Sequence, residues 1–300
     1  MGRRKIREIF SKLEVARLIY HFLRNSLNLV NDKFNFIQGS FRGNGVNVYW
    51  RRNVKNFGDF LTPYLLSRYG LRAVYTPAEN ATLLSVGSIL GDISGSFSGY
   101  ILGSGLIEDC FHPLPNAKIL AVRGELTRTR IGAPEGTPLG DPGLLVSNFF
   151  CKDAISLKFR LGIVPHYVDY NHEKVRKLAE KFTRKILIIN VRKRPSSVFR
   201  DICQCETILS SSLHGLVVAQ SFGIPSRWIN ISGRVYGDGF KFRDYYSSLS
   251  ISDPKSYELT GEEDLKELLN AVRDVPYDNV EKVKRKLNEL FCNLKHEILR

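Results

Sequence analysis

The chain has 300 residues, 43% of them hydrophobic, and a net charge of +14, enough to bury one large or two medium α/β cores, with two expected. That charge, with a pI near 9.6, asks for an acidic partner: nucleic acid, an anionic membrane surface or a phosphorylated substrate. The sequence carries no zinc-finger spacing, no aromatic RNA-binding strand signature and no basic region leading into heptads, so no nucleic-acid partner is expected.

Residues 1–45 open with Met1-Gly2-Arg3-Arg4-Lys5-Ile6-Arg7 and place Ile6, Ile9, Phe10, Leu13, Ala16, Ile19, Tyr20 and Leu23 at helical spacing. Lys12, Glu14, Arg17 and Arg24 break any run that could span a bilayer, and no signal-peptide core is visible. The expectation is a basic amphipathic helix that packs on the protein's own body or lies on an anionic membrane face. Over 46–150, Val46 to Trp50 alternates like a strand, and Gly58 to Tyr69 reads as a helix ended by Gly70. Ala81 to Val86, Tyr100 to Leu102 and Ile119 to Val122 read as further strands. This alternation predicts a parallel sheet covered on both faces, with ligands beyond the carboxyl ends of its strands.

Ser147 to Lys158 reads as a linker. A second βαβ array over 158–252 begins with the strand Leu161 to Val164 and a helix whose apolar face is Val175, Leu178, Ala179 and Phe182. A buried strand, Lys185 to Asn190, and a short helix, Pro195 to Cys203, follow, and Thr207-Ile208-Leu209 leads into a helix at His214. Over 253–300, Leu265, Leu268, Leu269 and Val272 mark one amphipathic helix, and Val280, Val283, Leu287, Leu290, Phe291 and Leu294 another; both are expected to pack back on the two arrays.

The most telling segment is Ile208-Leu209-Ser210-Ser211-Ser212-Leu213-His214-Gly215-Leu216-Val217-Val218-Ala219, an apolar strand that stops at three hydroxyls and resumes as a helix. His214 then stands at a helix N-terminus, where free N–H groups and the dipole attract anions. From the residues alone two readings stay open: an anionic substrate site, or a capping cluster with a histidine merely nearby. Five cysteines (Cys110, Cys151, Cys203, Cys205, Cys292) form no C-x-x-C pair, so neither disulfides nor zinc are expected and a reducing cytoplasm fits. No metal cluster, P-loop, serine elbow or H-E-x-x-H is present, and Gly103-Ser104-Gly105 lacks the third glycine of a dinucleotide fingerprint.

With its continuation Gln220-Ser221-Phe222-Gly223-Ile224-Pro225, this segment resembles the signature of polysaccharide pyruvyl transferases, and Lys241-Phe242-Arg243-Asp244-Tyr245-Tyr246 looks like the version in an exopolysaccharide-related branch. Further matches occur in order: Asn56-Phe57-Gly58-Asp59, Leu102-Gly103-Ser104-Gly105, Val122-Arg123-Gly124-Glu125, Leu139-Gly140-Asp141-Pro142-Gly143 and Gly162-Ile163-Val164-Pro165-His166. The resemblance spans roughly residues 46 to 246. It departs at Ser212, where well-studied members carry an arginine.

The resemblance implies two Rossmann-like lobes, as in GT-B glycosyltransferases, with the site in the cleft between them. It implies no cofactor: phosphoenolpyruvate is the donor, and its three-carbon unit becomes a cyclic ketal on a sugar of a cell-surface polysaccharide or its lipid-linked precursor. The donor's methylene carbon must be protonated, which gives His214 the role of general acid. Donor binding falls to Arg123, Ser210, Ser211 and Ser212, with Lys241 and Arg243 as substitutes for the missing arginine. For Arg123 the alternative is an ion pair with Glu125 or Glu108. Acceptor binding falls to Asn56, Gly58, Asp59, Gly103, Gly105 and His166. Rival readings are a nucleotide-sugar glycosyltransferase on the same fold and a non-catalytic protein that binds acidic glycans.

Overall fold

The computed structural model describes residues 43–274 and 277–299, so the expected basic N-terminal helix lies outside the described residues. Among the described residues ten short strands form two sheets, every pairing parallel. The first joins β1 (Gly45–Val48), β2 (Arg72–Tyr75), β3 (Leu83–Leu84), β4 (Tyr100–Ser104) and β5 (Lys118–Val122) in the order β2-β1-β3-β4-β5. The second joins β6 (Phe159–Val164), β7 (Ile186–Ile188), β8 (Cys205–Ser210), β9 (Ser226–Asn230) and β10 (Tyr257–Glu258) in the order β10-β9-β8-β6-β7.

Counted within each half, both sheets have the doubly wound parallel order 2-1-3-4-5. The run Ala81 to Val86 contributes only the two paired residues of β3. Lys185 to Asn190 was expected to be a buried strand, yet β7 lies at the sheet edge with β6 as its only neighbour, which leaves Leu187 and Ile188 half-buried.

The helices are α1 (Leu61–Arg68), α2 (Glu125–Ile131), α3 (Glu173–Lys181), α4 (Pro195–Cys203), α5 (Leu213–Ser221), α6 (Phe240–Ser248), α7 (Leu265–Ala271) and α8 (Tyr277–Ile298). All nine residues of α5 are buried, His214, Gln220 and Ser221 among them. It packs against the 3-10 turn Pro142–Asn148 and α4. Val46, Leu61 and Leu144 share one continuous apolar cluster with Val164, Leu216 and Val217, so the two halves are welded through a common core.

Helix α8 buries Val280, Val283, Leu287, Phe291 and Leu294 on one stripe and returns to the first half. There the Tyr69 ring packs against Phe291, centroids 5.0 Å apart and planes tilted by 36°, and its hydroxyl donates to Asn288 Oδ1 at 2.6 Å. Among the described residues no helix is long and apolar enough to cross a membrane.

Candidate functional site

In a parallel sheet of order 2-1-3-4-5, neighbouring chain connections leave the sheet on opposite faces between the first and third strands, and a crevice opens beyond their carboxyl ends. The first sheet has this switch point between β1 and β3, the second between β6 and β8. Both point into one cavity of about 380 Å³. Its wall takes Arg51 after β1, Ser88 after β3, His166 after β6, and Ser212 and His214 after β8, with Asp59 and Lys241 added from the β1–α1 connection and α6.

Strand β8 sits between β6 and β9 and turns through Ser211 and Ser212 into α5, which fixes His214 in the first turn of that helix. The ring is 7% exposed. Its Nε2 faces Asp141 Oδ2 at 3.6 Å, ion-pair reach but longer than a hydrogen bond, and neither atom has a hydrogen-bond partner among the described residues. Asp141 is held by its own backbone: it caps the Pro142–Asn148 turn, accepting Gly143 N–H at Oδ1 over 2.8 Å. On the other side of the ring, Nδ1 lies so close to Gly58 that a Cβ there would stand 2.1 Å from it. A fully buried carboxylate thus backs an almost buried imidazole as a counter-charge for its protonated form.

The rest of the cavity is cationic, with one carboxyl set among the cations. Lys241 is 8% exposed, and burial pushes its ammonium down to about 8, with Arg123 adding to the shift and Asp59 opposing it. Arg51 is anchored in two hydrogen bonds to Asp92, at 2.8 and 2.7 Å. Burial raises the Asp59 carboxyl to about 6, against the pull of His214, Arg51 and Lys241. His166 is driven to about 3 by burial, then by Lys241 and His214, so it is neutral near pH 7, its ring against Tyr167 at 4.2 Å. Two cations, a neutral histidine and a carboxyl raised to about 6 can hold an anion and move protons at one wall.

The structure brings His214, Ser212, Lys241, Asn56, Asp59 and His166 together at this cavity. Arg123 is elsewhere. It is fully buried behind the wall, its Nε 2.9 Å from Asp244 Oδ2 and its Nη1 2.6 Å from Ser88 Oγ. Asp244 also accepts from Thr127 N at 2.7 Å, and Arg123 donates to Leu106 O at 2.5 Å. The guanidinium is a buried structural tie between the two halves, and its partner is neither Glu125 nor Glu108.

Ser210 and Ser211 turn their hydroxyls inward. Ser210 Oγ accepts Ser212 N–H at 3.0 Å, and Ser211 Oγ accepts His166 N–H at 2.8 Å while donating to Asp169 Oδ2 at 3.1 Å. Arg243 leaves the cavity altogether: its Nη1 donates to Asp238 O at 2.7 Å beside a separate cavity. Gly103 lies within β4 and Gly105 just after it, off the switch point, and both are packing glycines where an added Cβ would strike Pro142 Cδ at 2.3 Å and Arg123 Cζ at 2.5 Å respectively. Gly58 serves His214 by lacking a side chain. Asn56 caps the 3-10 turn Phe57–Phe60, its Oδ1 taking Gly58 N–H at 3.3 Å.

Sequence reasoning missed Arg51, Ser88 and Asp141 as site residues. The signal for Arg51 was its place just past the first strand. For Asp141 it was the Gly-Asp-Pro-Gly string, in which an aspartate before proline caps a turn and so becomes a fixed carboxylate. No local pattern pairs either with His214.

A family model described as polysaccharide pyruvyl transferase matches residues 36–233, more than half of the chain. An uncharacterized protein of Acanthamoeba polyphaga mimivirus is 32% identical over 173 residues, covering 55% of this chain and 59% of the relative. The succinoglycan biosynthesis protein ExoV of Rhizobium meliloti (strain 1021) is 25% identical over 213 residues, 68% of this chain and 65% of that protein. The chain therefore spans less than two thirds of the length of these curated relatives.

Proposed function

The chain belongs to the polysaccharide pyruvyl transferase family, and from that premise we propose that it transfers the pyruvyl unit of phosphoenolpyruvate to two hydroxyls of one sugar as a cyclic ketal. The observation that carries this reading is His214 backed by Asp141 at one wall of a cavity whose other groups include Lys241 and Arg51. A donor with a carboxylate and a phosphate needs both a proton source and cations that persist through the transition state. The cavity supplies them side by side.

The steps follow from the residues. His214, protonated against Asp141, gives its proton to the donor methylene at the cavity wall, and C2 becomes oxocarbenium-like. A sugar hydroxyl adds to C2, and its proton passes to Asp59, whose carboxyl near pH 7 is largely ionised yet basic enough to accept it. The C2–O bond to phosphate breaks, and the second hydroxyl closes the ring. Of the two hydroxyl protons, one replaces the proton His214 gave and the other leaves on phosphate. Lys241 and Arg51 hold the phosphate and carboxylate, and neutral His166 contacts an acceptor hydroxyl. Lys241 fills the place of the arginine replaced by Ser212.

The two-lobed GT-B arrangement of the expectation is retained as part of this reading, with support from the two doubly wound sheets facing one cavity. The acceptor is a sugar of a polysaccharide or its lipid-linked precursor, met at the cytoplasmic membrane face. The test is acceptor-dependent phosphate release from phosphoenolpyruvate, with the product carrying an acid-labile ketal carbon by NMR. Phosphate released without acceptor, or pyruvate formed instead of ketal, overturns it.

A further inference from the structure

Beside the catalytic cavity lies a second one of about 380 Å³, within the range of ligand pockets. It opens at the ends of β9 and β10, and its wall includes Trp228, Asn230, Arg243, Asp253, Lys255 and Glu258. In register, Trp228 stands opposite Ser210, the last residue of β8, so this cavity begins one strand away from the His214 wall, about 5 Å. Helix α6 divides the two, with Lys241 facing the catalytic cavity and Arg243 the second.

The indole of Trp228 is fixed before any ligand arrives. It stacks on Phe242 with centroids 4.6 Å apart and planes 7° from parallel. Gly239, with φ of +71°, lies against its edge, where a Cβ would come within 2.5 Å of the ring. Around this flat apolar surface cations are not in excess, with Asp238, Asp253 and Glu258 against Arg243 and Lys255. Arg243 binds the Asp238 carbonyl at 2.7 Å, Lys255 faces Asp253 at 3.5 Å, and Glu258 takes Asn230 Nδ2 at 2.8 Å and Ser256 Oγ at 2.8 Å. A site for phosphate or a nucleotide diphosphate would show an excess of cations, as the catalytic cavity does. An aromatic platform ringed by paired donors and acceptors suits a neutral polyhydroxylated ring, apolar on one face and hydroxylated at its edge.

We propose that this second cavity is a saccharide subsite that binds the sugar unit next to the one receiving the pyruvyl group. This rests on the transfer reading above and adds that the enzyme selects an oligosaccharide over a free monosaccharide.

The test uses the full chain. Tryptophan fluorescence is followed while galactose, a set of glucose- and galactose-containing tetrasaccharides, or inorganic pyrophosphate is added at up to millimolar concentration, without phosphoenolpyruvate. A saturable change with at least one tetrasaccharide, absent in Trp228→Leu and weakened about tenfold in Ser256→Phe, is expected, with no response to pyrophosphate. In turnover, Ser256→Phe should raise KM for the same tetrasaccharide about tenfold and leave KM for phosphoenolpyruvate unchanged. No saccharide response, a response to pyrophosphate, or a Ser256→Phe variant with wild-type affinity overturns the subsite. Saccharide binding at Trp228 without any phosphate release would instead leave the subsite standing and remove the transfer chemistry.

Discussion

Gly58→Ala gives the sharpest test of the arrangement around His214. Gly58 does not occupy a positive-φ conformation, so alanine adds no backbone strain. Its Cβ would nonetheless stand 2.1 Å from His214 Nδ1, 2.7 Å from Cγ and 3.0 Å from Cε1. Restoring an ordinary contact of about 3.4 Å means moving the ring roughly 1.3 Å, more than the misplacement that can cost about 10²-fold in rate. The ring cannot retreat freely, because Asp141 stands 3.6 Å from Nε2 and the Phe57 ring lies edge-on at 6.5 Å. Overpacking of this kind costs about 1–3 kcal/mol, or a fall in Tm of up to about 6 °C in a chain of this size. The expected variant is folded by near-ultraviolet circular dichroism, binds phosphoenolpyruvate, and loses at least about 10²-fold in kcat for acceptor-dependent phosphate release. A folded Gly58→Ala protein that keeps more than about a tenth of wild-type kcat refutes the reasoning, since the ring would then be free to move without consequence.

His214→Ala should lose about 10²–10⁴-fold in kcat with donor affinity retained, and Asp141→Asn should lose part of the same factor; full activity in either, by the same phosphate assay, removes the pair from catalysis. Lys241→Ala should raise KM for phosphoenolpyruvate, whereas Arg243→Ala should not. Arg123→Ala should act on the fold by leaving Asp244 buried and unpaired, at a cost of about 3–5 kcal/mol readable as a lower denaturant midpoint. The pH profile of kcat/KM should peak between about 6, where Asp59 becomes an ionised base, and about 8, where Lys241 loses its charge. Asp59 also has a sign for stability. Its folded value, about 6 against 3.8, makes ionisation costlier in the folded state, so the cost is nil below about pH 4, grows as pH rises to 6 and stays above it. Asp59→Asn should therefore be inactive yet more stable than wild type at pH 8 by up to about 3 kcal/mol, with no advantage at pH 3.5, by urea unfolding at each pH.

Sequence alone settled the elements that depend on neighbours along the chain. The alternation of apolar runs with helical stripes gave two parallel arrays, and Pro195 to Cys203 emerged as the helix α4 with those bounds, because a proline at the first turn and an apolar face are local facts. The Ser-Ser-Leu-His turn was equally legible, since a strand that ends in hydroxyls and restarts as an apolar helix has few other solutions. Lys241 and Arg243 could not be told apart in sequence, because two residues on one helix diverge by about 200° and only the neighbouring walls say which cavity each meets. Arg123 looked like a donor ligand because it follows a strand, yet its burial against Asp244, 121 positions away, is a fact of packing between the halves. Asp141 and Gly58 acquire their roles in the same way. The carboxylate that backs His214 and the glycine that admits its ring come from separate connections of the first half. They meet the histidine of the second only because the two sheets share one core and their switch points open on one cavity.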